Sequence, residues 1–92
     1  MALLNDAEVE RRLAGLDGWR REGQAIERTF TFGTFADGIT FVQRVAELAD
    51  RADHHPDIDI RYDRVTLRLS THSAGGLTRR DMDLAAAIDG LR

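Results

Sequence analysis

The sequence predicts an α+β fold in the order α-β-β-α-β-β-α: a four-stranded antiparallel sheet with three helices on one face. Three observations carry that prediction. Three segments repeat apolar residues at the spacing of one helix face, four shorter segments alternate apolar and polar residues, and the alternating segments form two pairs joined by short turns. Connections that short allow antiparallel hairpins but not parallel crossovers. A sheet with one apolar face needs helices to cover it.

The first helix starts at Asn5 or Asp6, where Asn5-x-x-Glu8 has the form of a capping box. Val9, Leu13 and Leu16 share its face, and Gly15 and Gly18 mark its end. Trp19 begins the first hairpin, with the turn at Glu22-Gly23. In its second strand Ile26, Phe30 and Phe32 lie opposite Glu27, Thr29 and Thr31. Thr34 caps a long helix running to about Ala52. Its stripe is Phe35, Ile39, Val42, Val45, Ala46 and Ala49, widened by Phe41 and Leu48, so this should be the most buried helix. Gly38, costly by about 1 kcal/mol inside a helix, marks a close backbone approach. After Pro56, Ile58, Ile60 and Tyr62 alternate, then a turn at Asp63-Arg64, then Val65, Leu67 and Leu69 against Thr66, Arg68 and Ser70. A loop at Ser73-Ala74-Gly75-Gly76 leads to Thr78-x-x-Asp81, a capping box with Asp for Glu, and to a last helix with Leu84, Ala85, Ile88 and Leu91 on one face.

Ninety-two residues make one domain, 1–92, with a single small core. A net charge of −3 gives no electrostatic footprint for direct nucleic-acid binding, and all 13 basic residues are Arg. The chain has no Cys, hence no disulfide framework, thiol nucleophile or Cys-ligated metal. Met1-Ala-Leu-Leu-Asn-Asp lacks the charged region and apolar run of a signal peptide. No stretch approaches the roughly 20 apolar residues of a membrane span. A cytoplasmic location with no membrane partner is expected.

The three histidines fall in two short polar segments, Asp53-His54-His55-Pro56 and Ser70-Thr71-His72. Histidine changes charge near neutral pH, so the clustering suggests proton transfer. Pro56 pushes His55 toward an extended conformation, and neighbouring side chains there point to opposite sides. One of His54 and His55 therefore faces a given pocket while the other lines a wall or bonds to structure. His55 and His72 stand at the outer ends of one hairpin and should be close in space. Taken singly, each of these has a plainer reading: a surface histidine, a solvated Asp53 or Asp57, a helix cap at Thr78 and Asp81, a core Trp19. A metal site is not expected, because adjacent extended histidines diverge and no His-x₃-His helical pair exists.

Together these pieces resemble the pterin-4a-carbinolamine dehydratases, a group that includes a vertebrate protein doubling as dimerisation cofactor of a homeodomain transcription factor. The carriers are Gly18-Trp19, Thr29-Phe30-Thr31-Phe32, Ala49-Asp50-Arg51-Ala52-Asp53, His54-His55-Pro56, Val65 to His72, and Gly76-Leu77-Thr78-Arg79-Arg80-Asp81. The resemblance runs from about Leu16 to Ile88. It implies the same sheet-and-helix fold, homodimers or homotetramers, and no metal or other cofactor. The implied reaction removes water from 4a-hydroxytetrahydrobiopterin to give the quinonoid dihydropterin, in tetrahydrobiopterin recycling. An acid must act at the leaving oxygen and a base at N5.

By the same resemblance His54 and His72 form the acid–base pair, with His54 expected to protonate the leaving hydroxyl, and His55 orients the pterin. Asp81 fixes a histidine tautomer. Asp50, Asp53 and Arg80 surround the pocket, and Trp19 and Tyr62 offer aromatic edges. Three departures bear on substrate affinity. Asp50 stands where many relatives carry the longer Glu, Ile58 stands where many carry Trp, and Gly75-Gly76 should loosen the loop beside His72. Two other readings share the scaffold: an oligomerisation or transcription-cofactor-like binding module, and a dehydratase acting on another pterin.

Overall fold

A computed structural model describes residues 2–92 of the chain. Helix α1 spans Asp6–Leu13, β1 Arg20–Glu22, β2 Ala25–Thr31, α2 Phe35–Ala52, β3 Asp57–Arg61, β4 Arg64–Leu69 and α3 Arg79–Asp89, with a short 3-10 turn at His72–Ala74. The predicted element order holds, and the four strands form one antiparallel sheet ordered β1-β2-β4-β3. The second hairpin docks through β4, from Ile26 opposite Leu69 to Thr31 opposite Arg64. This leaves β1 and β3 at the edges.

Alternation explains why the sheet has one covered face. Ile26 and Phe30 of β2 and Val65, Leu67 and Leu69 of β4 are buried, in one cluster with Phe41 and Val45 of α2 and Met82, Leu84, Ala85 and Ile88 of α3. Each such side chain contributes roughly 1.5–3 kcal/mol on burial, so the two central strands anchor the fold. Arg28 breaks the pattern on that face of β2. Its guanidinium lies 4.4 Å from the Phe30 ring centroid and donates to Asp89 and to the Asp17 carbonyl, so the half-buried charge is partnered.

The caps form as read. Asn5 with Glu8 and Thr78 with Asp81 make reciprocal capping boxes, and the Thr34 hydroxyl accepts from the Asp37 N–H. Both hairpin turns lie one residue from the expected position. Pairing of Glu22 with Ala25 leaves Gly23-Gln24 as the first turn, and pairing of Arg61 with Arg64 leaves Tyr62-Asp63 as the second. Two-residue hairpin turns put their first central residue at positive φ, here Gly23 at 62° and Tyr62 at 51°.

Helix α2 buries part of the expected stripe, Phe41, Val45 and Ala49, with Val42 and Leu48 packed against the core, but rotates its edge. Gly38, Phe41, Val45 and Ala49 are buried, whereas Phe35 and Ala46 are exposed. Gly38 lies on this line: a Cβ there would stand 3.5 Å from Phe32 and from Val65, at ordinary contact distance, so the helix approaches the sheet closely at that point. The shorter α3 is the more buried helix, with Asp81, Met82, Leu84, Ala85 and Ile88 inside.

Candidate active site

The site begins where α2 stops. Asp53 adopts the left-handed conformation, φ 48° and ψ 45°. Its N–H donates to the Asp50 carbonyl at 3.2 Å and the His54 N–H to the Ala49 carbonyl at 3.1 Å. That pair of bonds is a Schellman ending. It reverses the chain and sends His54 inward toward α3, while Pro56 carries His55 out into β3. The divergence expected of the adjacent histidines is realised.

His54 is only 8% exposed and Asp81 is 0% exposed, and the His54 Nε2 lies 2.6 Å from Asp81 Oδ1. The second carboxylate oxygen accepts from the Thr71 hydroxyl at 2.8 Å and from the Thr78 N–H at 2.9 Å. Among the described residues no buried side-chain nitrogen or oxygen lacks a partner. The visible part of His54 faces a groove of about 390 Å³ between α2 and α3, lined also by Leu48, Arg51, Arg80 and Leu84. Arg80 closes the C-terminus of α2, donating to the Ala52 carbonyl at 2.9 Å and the Asp53 carbonyl at 2.6 Å. A cation is favoured at that end of a helix.

His55 and His72 meet elsewhere. They line a second cavity of about 210 Å³ with Gln24, Ala25, Asp57, Arg68 and Ser70. The register puts Asp57 opposite Arg68, so both stand on the sheet face away from the core residues Leu67 and Leu69. His55 Nε2 lies 3.0 Å from Asp50 Oδ1, an exposed pair across the end of α2. The shorter Asp50 does reach this histidine. Arg68 is held by Glu27 at 2.9 Å.

His72 lies beyond the end of β4, as the first residue of the 3-10 turn. The loop around it is tied down, not loosened by its glycines. The Thr71 N–H donates to the Gly76 carbonyl, and the Thr71 carbonyl accepts from Ala74, Gly75 and Gly76. Gly75 closes this turn at φ 79°, a conformation that suits glycine.

Of the nine residues expected at the site, the structure therefore brings Asp50, His55 and His72 to one side, and His54, Asp81, Arg80 and the Asp53 backbone to the other. His54 and His72, the expected acid–base pair, line different cavities. Two aromatic residues stand apart from both. Trp19 is buried edge-on to Phe30, 6.2 Å between centroids, and donates its indole N–H to Asp89 at 2.9 Å. Tyr62, 74% exposed, occupies the hairpin turn at the opposite end of β3 from His55. Trp19 thus takes its plainer reading as a core aromatic, and Tyr62 sits on a turn.

Reading by sequence missed Gln24, Arg68, Ser70 and Thr71. The polar phase of β4 marks Arg68 and Ser70 as sharing a face, which is a usable signal. Gln24 has no local signal, because the Ser70 hydroxyl finds its carbonyl, at 2.8 Å, only through the β2–β4 pairing. Among the described residues no group of three His, Cys, Asp or Glu side chains is placed to hold a metal ion, and no helix is long and apolar enough to cross a membrane.

Comparison with known proteins identifies the family. The family model described as pterin 4 alpha carbinolamine dehydratase matches residues 2–91. The chain is similar to proteins carrying the name "Putative pterin-4-alpha-carbinolamine dehydratase" in Roseiflexus castenholzii, at 61% identity over 96% of this chain and 95% of that one, and in Mycobacteroides abscessus, at 56% over 97% and 95%. Among solved structures, a transcriptional coactivator/pterin dehydratase from Brucella melitensis superposes with a TM-score of 0.94 at 34% identity, covering 98% of both chains. A pterin dehydratase-like RuBisCO assembly factor of the alpha-carboxysome superposes with a TM-score of 0.68 at 26% identity, covering 80% of this chain and 88% of that one.

Proposed function

Because this chain belongs to the pterin 4 alpha carbinolamine dehydratase family, we propose that it is a hydro-lyase removing water from a 4a-hydroxytetrahydropterin by histidine general acid–base catalysis. The observation that carries this reading is the cavity shared by His55 and His72, two imidazoles from separate segments facing one space. The reaction needs a proton delivered to the leaving C4a oxygen and one removed from the neighbouring N5. Two groups able to hold or release protons near neutral pH, on different walls, supply both. Each positioned group of this kind contributes about 10²–10⁴-fold. At about 210 Å³ the cavity is smaller than the roughly 300 Å³ and more of typical ligand sites, so it suits the reacting edge of a flat bicycle with the rest lying over the rim.

His54, tied to Asp81, faces the other groove, between α2 and α3, and is held there as an oriented histidine. This departs from pairing His54 with His72, and His55→Ala separates the two assignments. A fall in kcat marks His55 as a proton carrier, whereas a rise in KM alone marks it as an orienting group with His54 as the acid. Asp50 steadies His55, and Arg80 with the Asp53 carbonyl keeps the end of α2 in place. We assign the activity to one domain spanning 1–92, in the cytoplasm, within tetrahydrobiopterin recycling and without a cofactor. A homodimer or homotetramer is supported by the stripe left outside α2, where Phe35 is 50% exposed beside partly buried Ile39 and Val42. The two family neighbours with coactivator and assembly descriptions motivate a binding module as the second reading.

The test is absorbance-monitored loss of an enzymatically generated 4a-hydroxytetrahydropterin with and without the protein, run on several pterins. Acceleration is expected. No acceleration on any of them, together with a stoichiometric partner in a pull-down, would favour the binding-module reading. Tyr62→Asn is expected to leave KM unchanged and to raise stability by about 1 kcal/mol, since Asn tolerates positive φ better than Tyr. The denaturation midpoint and KM report both effects, and a raised KM would return Tyr62 to the site.

A further inference from the structure

Thr71 is 2% exposed, sits between Ser70 and His72, and makes hydrogen bonds in two directions. We propose that Thr71 is a positioning residue for the reaction. Its hydroxyl completes a one-way hydrogen-bond chain running from Thr78 through Thr71 to Asp81, and so sets which nitrogen of His54 carries the proton. The kinetic part of this inference rests on the dehydratase reading; the part concerning His54 does not.

The direction follows from counting hydrogens. Thr71 Oγ1 lies 2.8 Å from Asp81 Oδ2 and 2.8 Å from Thr78 Oγ1. A hydroxyl has one proton to give and an ionised carboxylate has none. Thr71 therefore donates to Asp81 and accepts from the Thr78 hydroxyl. Thr78 Oγ1 in turn accepts from the Arg80 N–H at 3.3 Å, and its own N–H donates to Asp81 Oδ2 at 2.9 Å. Asp81 occupies the first turn of α3, where outward N–H groups call for an acceptor. With Oδ2 saturated by two donors, Oδ1 remains for His54 at 2.6 Å, and an acceptor there requires the proton on Nε2. Nδ1 is then the bare nitrogen.

The same residue holds the other histidine segment through its backbone. The Thr71 N–H and carbonyl organise the loop that carries His72. The side chain and the main chain of one residue thus place the two histidine segments relative to each other, although neither His54 nor His72 is touched by the hydroxyl itself.

The test combines side-chain ¹⁵N NMR of His54 with kinetics, on the wild-type chain, Thr71→Val and Thr71→Ser. In the wild type His54 is expected to be protonated at Nε2, with that proton protected from exchange; a neutral ring protonated at Nδ1 overturns the proposal, whether or not any variant folds. Thr71→Val is expected to mix the tautomers, speed Nε2–H exchange and lower kcat about tenfold with KM unchanged, the size seen when a group orienting a histidine is removed. Thr71→Ser is expected to restore both readouts. A folded Thr71→Val with wild-type His54 signals, or a Ser variant no better than Val, overturns the proposal. A wild type that shows the Nε2–H form but does not accelerate dehydration overturns the enzymatic reading alone and upholds the hydrogen-bond chain.

Discussion

Replacing His72 with Ala is expected to lower kcat for dehydration by about 10²–10⁴ while the protein stays folded. The side chain is exposed at the start of the 3-10 turn, and the loop is held by the backbone of Thr71 and Gly75, not by the imidazole. Truncation there empties one wall of the shared cavity without opening the core, and surface changes of that kind move stability by about 0.5 kcal/mol or less. Circular dichroism and the thermal midpoint check the fold, and turnover of the 4a-hydroxypterin checks the role. Unchanged turnover in a folded variant would remove His72 from the mechanism.

Asp81→Ala is expected to be the most destabilising single change in the site. The carboxylate is fully buried and receives His54, Thr71 and the Thr78 N–H. Removing it strands those donors, breaks a buried pair and deletes half of the α3 capping box. A buried donor left without its acceptor costs about 1–3 kcal/mol, and His54, Thr71 and the Thr78 N–H are all stranded here, against a total stability of about 5–15 kcal/mol for a small domain. A fall of more than about 10 °C in the thermal midpoint is expected. Asp81→Asn separates structure from chemistry. Its oxygen can still accept from Thr71 and the Thr78 N–H, so the fold should largely survive. Its NH₂ then faces His54 Nε2, which must become an acceptor and give up its proton. The Asn variant is therefore expected to melt above the Ala variant yet share its loss of activity. An Asn variant with wild-type kcat would show that Asp81 serves only as a cap.

The helix starts were legible because capping is local chemistry. Asn5, Thr34 and Thr78 announce themselves by side chains that reach only three residues ahead, and each caps as read. Strand alternation was legible for the same reason. The inward stripe of α2 was legible in part: Phe41, Val45 and Ala49 are buried as read, but Phe35 and Ala46 are exposed. Phe35 and Ala46 are as apolar as the residues buried, so which edge of the stripe turns inward is settled by how the helix packs on Phe32 and Val65. The second turn depends on tertiary pairing, because β4 pairs on both sides, with β2 and with β3, and that joint register bears on where the hairpin bends.

The sequence by itself determined the order of elements, the family, and the two segments that hold every histidine, since these rest on spacing along the chain. Tertiary structure alone decided that His55 joins His72 in one cavity while His54 turns inward to Asp81. The cause is the left-handed Asp53 at the end of α2, which splits two adjacent residues to opposite sides of the sheet's end. No one-dimensional pattern records that split, because it depends on where α3 and the Thr71 loop lie in space.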